Sequence, residues 1–125
     1  MKHEDISKKI IGAAYQVYNT LGFGFLESVY EKSLMIEIEK CGLNVVRQFP
    51  INVYYDEKRV GNFYADMFVE NKVMVELKSV KILHKMHQVQ LVNYLVATNT
   101  DIGLLINFGA NGVEVKRKSR ILPLK

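Results

Sequence analysis

Apolar residues at the start of the chain recur at helical spacing. Ile6, Ile10, Ala13, Ala14, Val17 and Leu21 fall on one face and predict a helix from about Asp5 to Leu21, which Gly22 stops. Gly22-Phe23-Gly24 reads as a short connector, and a second helix is expected from about Leu26 to Cys41, ended by Gly42. The period then changes. Val45 to Tyr55 is rich in β-branched and aromatic residues, although Pro50 interrupts its reading as one central strand. Asp56-Glu57-Lys58-Arg59 predicts a polar turn. Val60 to Val69 and Val73 to Lys78 predict two strands closed into a hairpin by Glu70-Asn71-Lys72. A third helix is expected from about Lys85 to Thr98. Ile102 to Phe108 is an apolar run of strand length, expected to be buried on both faces. Ala110-Asn111-Gly112 turns the chain, Val113-Glu114-Val115 pairs back, and Arg117 to Lys125 reads as a basic tail. The order helix, helix, three strands, helix, two strands predicts an α/β (α+β) fold, a central mixed β-sheet flanked by helices.

The hairpin places chemistry on that frame. Side chains on a strand alternate faces, so Glu76 and Lys78 point one way while Val75 and Leu77 point into the core. With the loop at Glu70 to Lys72, Val69 faces Val73 and Asp66 faces Glu76. Such cross-strand partners share a face about 5 Å apart. Asp66 is expected on that face between Tyr64 and Phe68. Two carboxylates then converge beside one lysine. Close like charges repel, and one takes up a proton unless a cation bridges the pair. Mg²⁺, or Mn²⁺ in its place, suits such hard oxygen ligands and keeps several waters, and the backbone carbonyl of Leu77 offers a further ligand. Lys78 then stands beside a metal-bound water, to orient it or to stabilise charge on a phosphoryl oxygen.

Two helices carry further candidates. Glu27, Tyr30, Leu34, Ile38 and Cys41 form one stripe on the second helix, which sets Glu27 at the head of the inward row and leaves Glu31 and Glu39 on the solvated side. Glu27 is either a first-turn acid favoured by the helix dipole or a carboxylate aimed at the acid pair. Cys41 reads as a small buried hydrophobe. His87, Gln90 and Tyr94 form a polar strip on the third helix, either a satisfied rim of the core or a lining that binds phosphate or positions Lys78. His84 and His87 lie three apart, but no Cys or further His stands at zinc spacing, so they are not read as a zinc site.

Composition narrows the setting. The 125 residues are expected to form a single domain, 1–125, with 49% apolar and 24% charged residues. The one cysteine forbids an internal disulfide. The amino terminus lacks a signal-peptide pattern, and no apolar run nears the roughly 20 residues of a membrane span. A cytoplasmic protein with no membrane partner is therefore expected. A net charge of +4 suits either nucleic acid or plain solubility. Lys116, Arg117, Lys118, Arg120 and Lys125 make a basic end, by default a solvated tail and otherwise a phosphate neutraliser. Tyr54, Tyr55, Phe63 and Tyr64 are expected in the core, with stacking on bases as their other reading.

Asp66 followed by Glu76-Leu77-Lys78 resembles the D…(D/E)xK signature of the PD-(D/E)XK nuclease superfamily, with Ala65 where the superfamily's name has proline. Residues 26 to 108 follow that superfamily's core order of helix, three strands, helix and strand. Gln90-Leu91-Val92-Asn93-Tyr94 resembles the QxxxY motif of its RecB-like branch. Gly24-Phe25-Leu26-Glu27-Ser28-Val29-Tyr30 is similar to the signature of the GxxExxY protein family, a bacterial and archaeal branch, and that likeness runs over about residues 6 to 118. The resemblance implies a restriction-endonuclease-like fold in which Asp66 and Glu76 hold the metal, Lys78 assists the attacking water, Glu27 completes the site, and Gln90 and Tyr94 support it. It implies a nuclease acting on DNA ahead of RNA. A non-catalytic module that binds nucleic acid or a protein partner is the competing expectation. An exposed ion-pair cluster is the third. At this size, a homodimer or a larger protein partner is expected to supply further substrate contacts.

Overall fold

The alternating middle of the chain and the apolar run near its end assemble one five-stranded sheet in a computed structural model that describes residues 2–120. Helices α1 (Glu4–Leu21) and α2 (Glu27–Lys40) precede strands β1 (Val45–Tyr55), β2 (Lys58–Val69) and β3 (Val73–Lys78). Helix α3 (Lys85–Thr98) then leads to β4 (Ile102–Gly109) and β5 (Gly112–Ser119). The strands lie side by side in chain order. All neighbours are antiparallel except β3 and β4, which run parallel because α3 carries the chain back to the start of the sheet. This is the α+β arrangement of a mixed sheet flanked by helices that the pattern predicts.

The two faces of the sheet bury different helices. On one face, Ile10, Ala14, Tyr30, Leu34 and Ile38 of α1 and α2 pack on Val73, Val75, Leu77, Leu104 and Ile106. On the other, Leu91, Tyr94 and Leu95 of α3 pack on Phe68, Met74 and Leu105. Strand β4 is therefore covered on both sides, and every one of its residues is buried. Tyr18 of α1 donates its hydroxyl proton to the Gly109 carbonyl at 2.7 Å, which docks α1 at the end of β4. On the opposite side, α3 lies close over Gly103. A Cβ there would sit 2.9 Å from Leu91 Cδ1 and 3.0 Å from Leu95 Cδ2.

Several local expectations change. Pro50 does not break β1, because β1 is an edge strand and a missing N–H on its outer side disrupts no ladder. The turn after β1 is two residues, not four: Asp56 and Glu57 both have positive φ, and Tyr55 pairs with Lys58. The first residues of the basic tail are strand. Lys116, Arg117 and Lys118 belong to β5, and Arg117 Nη1 donates to Ser7 Oγ at 2.6 Å. Arg120 and Lys2 both hold Asp101, and the Arg120 hydrogen bond, followed by Lys2, lowers the Asp101 carboxyl to about 2. Lys125 lies outside the described residues. Cys41 follows the last helical residue of α2 and is exposed rather than buried.

The tight seat of α3 on β4 yields a stability prediction. Gly103→Val pushes a branched side chain against Leu91 and Leu95, and overpacking of this kind costs about 1–3 kcal/mol. Urea unfolding followed by circular dichroism should show the midpoint falling with an unchanged slope. An unchanged midpoint would mean that α3 is not held to β4 at this contact.

Candidate active site where β2 and β3 part

Strands β2 and β3 pair at Val69 with Val73, Phe68 with Met74 and Met67 with Val75. Continued by one step, this register sets Asp66 opposite Glu76, as the hairpin reading expects, but the ladder stops there. The Leu77 N–H instead donates to Asp66 Oδ2 at 2.7 Å. The N–H and C=O of one strand residue face the same edge, so the Leu77 carbonyl is aimed into the same gap between the strands. The gap is wide enough for a side chain, and a carboxylate fills the place of a backbone acceptor.

The alternation of β2 fails at this point. Met67 and Val69 pack beneath α1 and α2, yet Ala65 lies in the α3 layer and the Phe63 ring stands 5.6 Å from that of Tyr94. Tyr64, expected inside with Asp66, is exposed. Across on β1, Gln48 sits between the pairs Arg47–Met67 and Phe49–Ala65 with φ of 53°, a left-handed conformation rare for a non-glycine residue. The local rotation at Gln48 turns both strands and exchanges their faces.

The acids sense one another. Glu76 is buried, and burial followed by the adjoining Asp66 pushes its carboxyl up to about 9. Its Oε1 is enclosed without a hydrogen-bond partner among the described residues. Burial also raises Asp66, against the opposing effect of the Leu77 N–H. Burial raises Glu27, with Lys78 pulling it down and Asp66 and Glu31 adding to the rise. Glu27, Asp66, Glu76 and Lys78 therefore share one electrostatic neighbourhood. Glu27 does not head a buried row: Tyr30, Leu34 and Ile38 are buried, while Glu27 is exposed at the first position of α2. It is both a first-turn acid and a neighbour of the acid pair.

The strip on α3 divides. Tyr94 is mostly buried, and its hydroxyl is raised by burial and then by Glu76 and Asp66. His87 caps its own helix, where Nδ1 accepts the His84 N–H at 3.2 Å, and burial followed by Lys78 lowers its pKa. Gln90 is exposed on the wall of an open groove beside Tyr94.

Positioning residues that the sequence pattern missed hold this arrangement. Glu31, expected in solvent, is only 6% exposed. Arg47 Nη2 and Nε donate to its Oε2 at 2.8 and 3.2 Å, and Gln48 Nε2 donates to Oε1 at 2.7 Å. The kinked part of β1 is thereby tied to α2 one turn beyond Glu27, and that spacing was the available signal. Asn107 is a lone polar residue in an apolar run, and it is fully buried. Its Nδ2 donates to the Val80 carbonyl at 2.8 Å and to Glu114 Oε1 at 3.0 Å, and its Oδ1 accepts the Val80 N–H at 3.0 Å. The chain just past Lys78 is clamped by these bonds.

The segment entering α2 is fixed as well. The Tyr30 hydroxyl donates to the Gly22 carbonyl and accepts the Phe25 N–H, while its ring stacks 4.3 Å from that of Phe108. Gly24 has φ of 114°, which a side chain would strain. Ser79 Oγ donates to the Phe25 carbonyl at 3.0 Å, joining this segment to the residue after Lys78. Gly24, Glu27 and Tyr30 thus act together: the glycine makes the bend, the tyrosine pins it, and the glutamate is delivered beside Asp66.

These groups fit a hard divalent cation. A buried carboxyl oxygen with no partner, a second carboxylate and a carbonyl aimed into the same gap are the oxygen donors such an ion takes. Among the described residues no three His, Cys, Asp or Glu side chains form a ligand group by themselves, so the fit is to an ion that keeps part of its water shell.

A family model described as the PD-(D/E)XK nuclease superfamily matches residues 4–118. No curated protein matches the chain. A solved structure titled "Crystal structure of SSO0001" superposes with a TM-score of 0.48 at 18% sequence identity, over 98% of this chain and 62% of that one. The chain thus spans less than two thirds of that structure's length.

Burial of the Glu76 carboxyl has a measurable cost. Its folded pKa lies above its unfolded value, so its contribution is fully present below about 4.5 and is lost as pH rises through about 9. Glu76→Gln removes this titration. In chelator-containing buffer the variant should match wild type near pH 4 and exceed its stability by roughly 1–3 kcal/mol at pH 8 to 9. Equal pH profiles in thermal melts would show that the carboxyl is not held neutral.

Proposed function

The chain belongs to the PD-(D/E)XK nuclease superfamily, and from that membership we propose that the gap between β2 and β3 is the active site of a metal-dependent nuclease. It hydrolyses phosphodiester bonds in DNA, with RNA as the second substrate class, in the cytoplasm. The observation that carries this reading is the buried acid pair: Glu76, with an oxygen unpaired among the described residues, beside Asp66 and two residues before Lys78, the half-buried last residue of β3. The Gly24, Glu27 and Tyr30 device supports assignment to the GxxExxY branch.

Asp66, Glu76 and the Leu77 carbonyl would hold Mg²⁺ or Mn²⁺. The ion supplies positive charge that neutralises the pair and polarises water and the phosphate. The chain's own groups do the rest. Asp66 keeps its orientation through the Leu77 N–H, so the donor set is preorganised. Glu27, at the mouth of the site and raised by the partial loss of solvent there, accepts or returns a proton. Lys78 places an ammonium beside the acids, where it orients the attacking water and stabilises charge growing on a phosphoryl oxygen. Tyr94 closes the α3 side against Phe63 and restricts water around the acids. His87 and Gln90 extend this wall toward solvent. A second copy or a larger partner would widen the surface available to a long substrate.

Asp66→Asn and Glu76→Gln should each abolish the heat of Mn²⁺ binding in titration calorimetry, while Lys78→Ala keeps it. Lys78→Ala should slow cleavage of a labelled oligonucleotide by about a hundredfold or more. Metal binding unchanged in both acid variants would remove the site. Binding without cleavage over single-stranded, duplex and branched DNA and RNA, with Mg²⁺ or Mn²⁺, would leave a binding module in its place.

A further inference from the structure

An open groove of about 720 Å³ runs beside the acid pair, between α3 and the outer parts of β1 and β2. Tyr94 belongs to both: its hydroxyl senses Glu76 and Asp66, and its ring meets Phe63 in the groove wall. The aromatic residues expected in the core surface here instead. Tyr54 is 62% exposed and Phe63 44% exposed, and both line the groove. Their orientation follows from the backbone. The register slips between Val53, paired with Gly61, and Tyr54, paired with Arg59, so Val53 and Tyr54 both reach the groove. By the same pairing Arg59 shares the face of Tyr54 and Phe63. Gly61 keeps this face open, since a Cβ there would sit 3.0 Å from Phe63 Cε2.

The chemistry of the lining selects an occupant. Aromatic faces and the amides of Asn52, Gln90 and Asn93 stand among aliphatic side chains of β1 and α3, and among the described residues no acidic side chain lines the groove. The stretch Ser79–Thr100, which contains α3, carries Lys81, Lys85, His84 and His87 and no Asp or Glu. The acids Asp56 and Glu57 lie beyond the far end, in the turn between β1 and β2. Stacking surfaces and amides in the lining, with cations on the flanking stretch that includes the start of α3, together match a polyanion with exposed flat bases. They match an apolar peptide less well, because it would bury the three amides unpaired and leave the flanking cations without a counter-charge.

We propose that this groove is the track along which a single-stranded nucleic acid enters the active site. This rests on the nuclease reading above and names the substrate class of that same site. Bases stack on Tyr54 and Phe63, Asn52 and Asn93 meet base edges, and Arg59 and Lys85 take phosphates. The strand then passes Tyr94 to reach Asp66 and Glu76. From Arg59 to Asp66 along β2 is roughly 20 Å, room for several bases. A closed duplex hides its base faces and gains nothing from Tyr54 or Phe63. The lining meets bases while Arg59 and Lys85 flank it, and among the described residues nothing in it selects deoxyribose over ribose.

The test is fluorescence anisotropy in EDTA, which holds cleavage off, with labelled 15-nucleotide oligothymidine, 15-nucleotide oligouridine and a blunt 15-base-pair DNA duplex. Both single strands should bind at least about tenfold tighter than the duplex. Tyr54→Ala should weaken single-strand binding by about 5- to 100-fold, as loss of one stacked base does, while Tyr54→Phe restores it. Arg59→Ala should flatten the salt dependence by about one unit of log–log slope. Tyr54→Ala should leave the melting temperature and the Mn²⁺ titration unchanged, because the side chain is exposed and outside the acid pair. Preference for only one of the two single strands would support the track and assign it to DNA or RNA.

Wild-type affinity in Tyr54→Ala, or equal binding of duplex and single strand, overturns the proposal. So does a dimer in light scattering that Tyr54→Ala converts to monomer, since a second copy would then fill the groove. If Asp66→Asn keeps its Mn²⁺ while Tyr54→Ala still loses the single strand, the cleavage reading falls and the binding track stays. The converse result removes the track alone.

Discussion

A carboxylate standing in for a backbone acceptor is the constraint on which the site depends. A strand that leaves its neighbour exposes N–H groups that must find another partner, and a buried one left unmade costs on the order of 1–3 kcal/mol. Asp66 meets that need at Leu77, so β2 and β3 can part without an orphaned donor. The same bond fixes the direction of the carboxylate. It also leaves the Leu77 carbonyl and the Glu76 side chain in the opened space. Separation of the strands and assembly of the donor set are one event, achieved by one side chain.

That event is unfavourable in isolation. Two acids are drawn together under cover, one of them with an oxygen that no group among the described residues satisfies. The surrounding structure compensates by over-determining every segment that leads into the gap. Arg47 and Gln48 bind Glu31 from the kinked part of β1. Asn107 clamps the chain after Lys78 from the fully buried β4. Tyr30 and Ser79 hold the bend before Glu27. Arg47 and Gln48, Asn107 and Tyr30 belong to elements packed in the sheet or its cores, and Ser79 directly follows β3, so the strain at the acids is borne largely by the core.

The rotation at Gln48 links the site to the substrate surface. By exchanging the faces of β1 and β2 it brings Phe63 and Ala65 round to the α3 side while Met67 and Val69 stay beneath α1 and α2. The inner end of the sheet becomes core and the outer end becomes a groove wall, continuous through Tyr94. A small domain thereby gains a recognition surface without an added element.

Much of this was written locally. Helical spacing from Ile6 to Leu21, the short loop after Val69 and the apolar run from Ile102 placed the elements, because period and turn chemistry act over a few residues. The facing of Asp66 and Glu76 followed too, since a strand period of two and a three-residue loop leave one register. The fates of Glu31, Cys41, Tyr54 and Phe63, and the continuation of β5 past Val115, were not legible. Burial of Glu31 needs Arg47 from a strand that nothing in α2 announces, and the exposure of Tyr54 and Phe63 needs a left-handed conformation at Gln48, a non-glycine residue, and a register slip beside Gly61 that the glycine alone does not specify. The basic residues 116–118 joined the sheet because β4 offered them an open edge. Short-range sterics set each residue's local geometry, whereas which face meets a helix and which meets water depends on twists accumulated between strands distant in sequence.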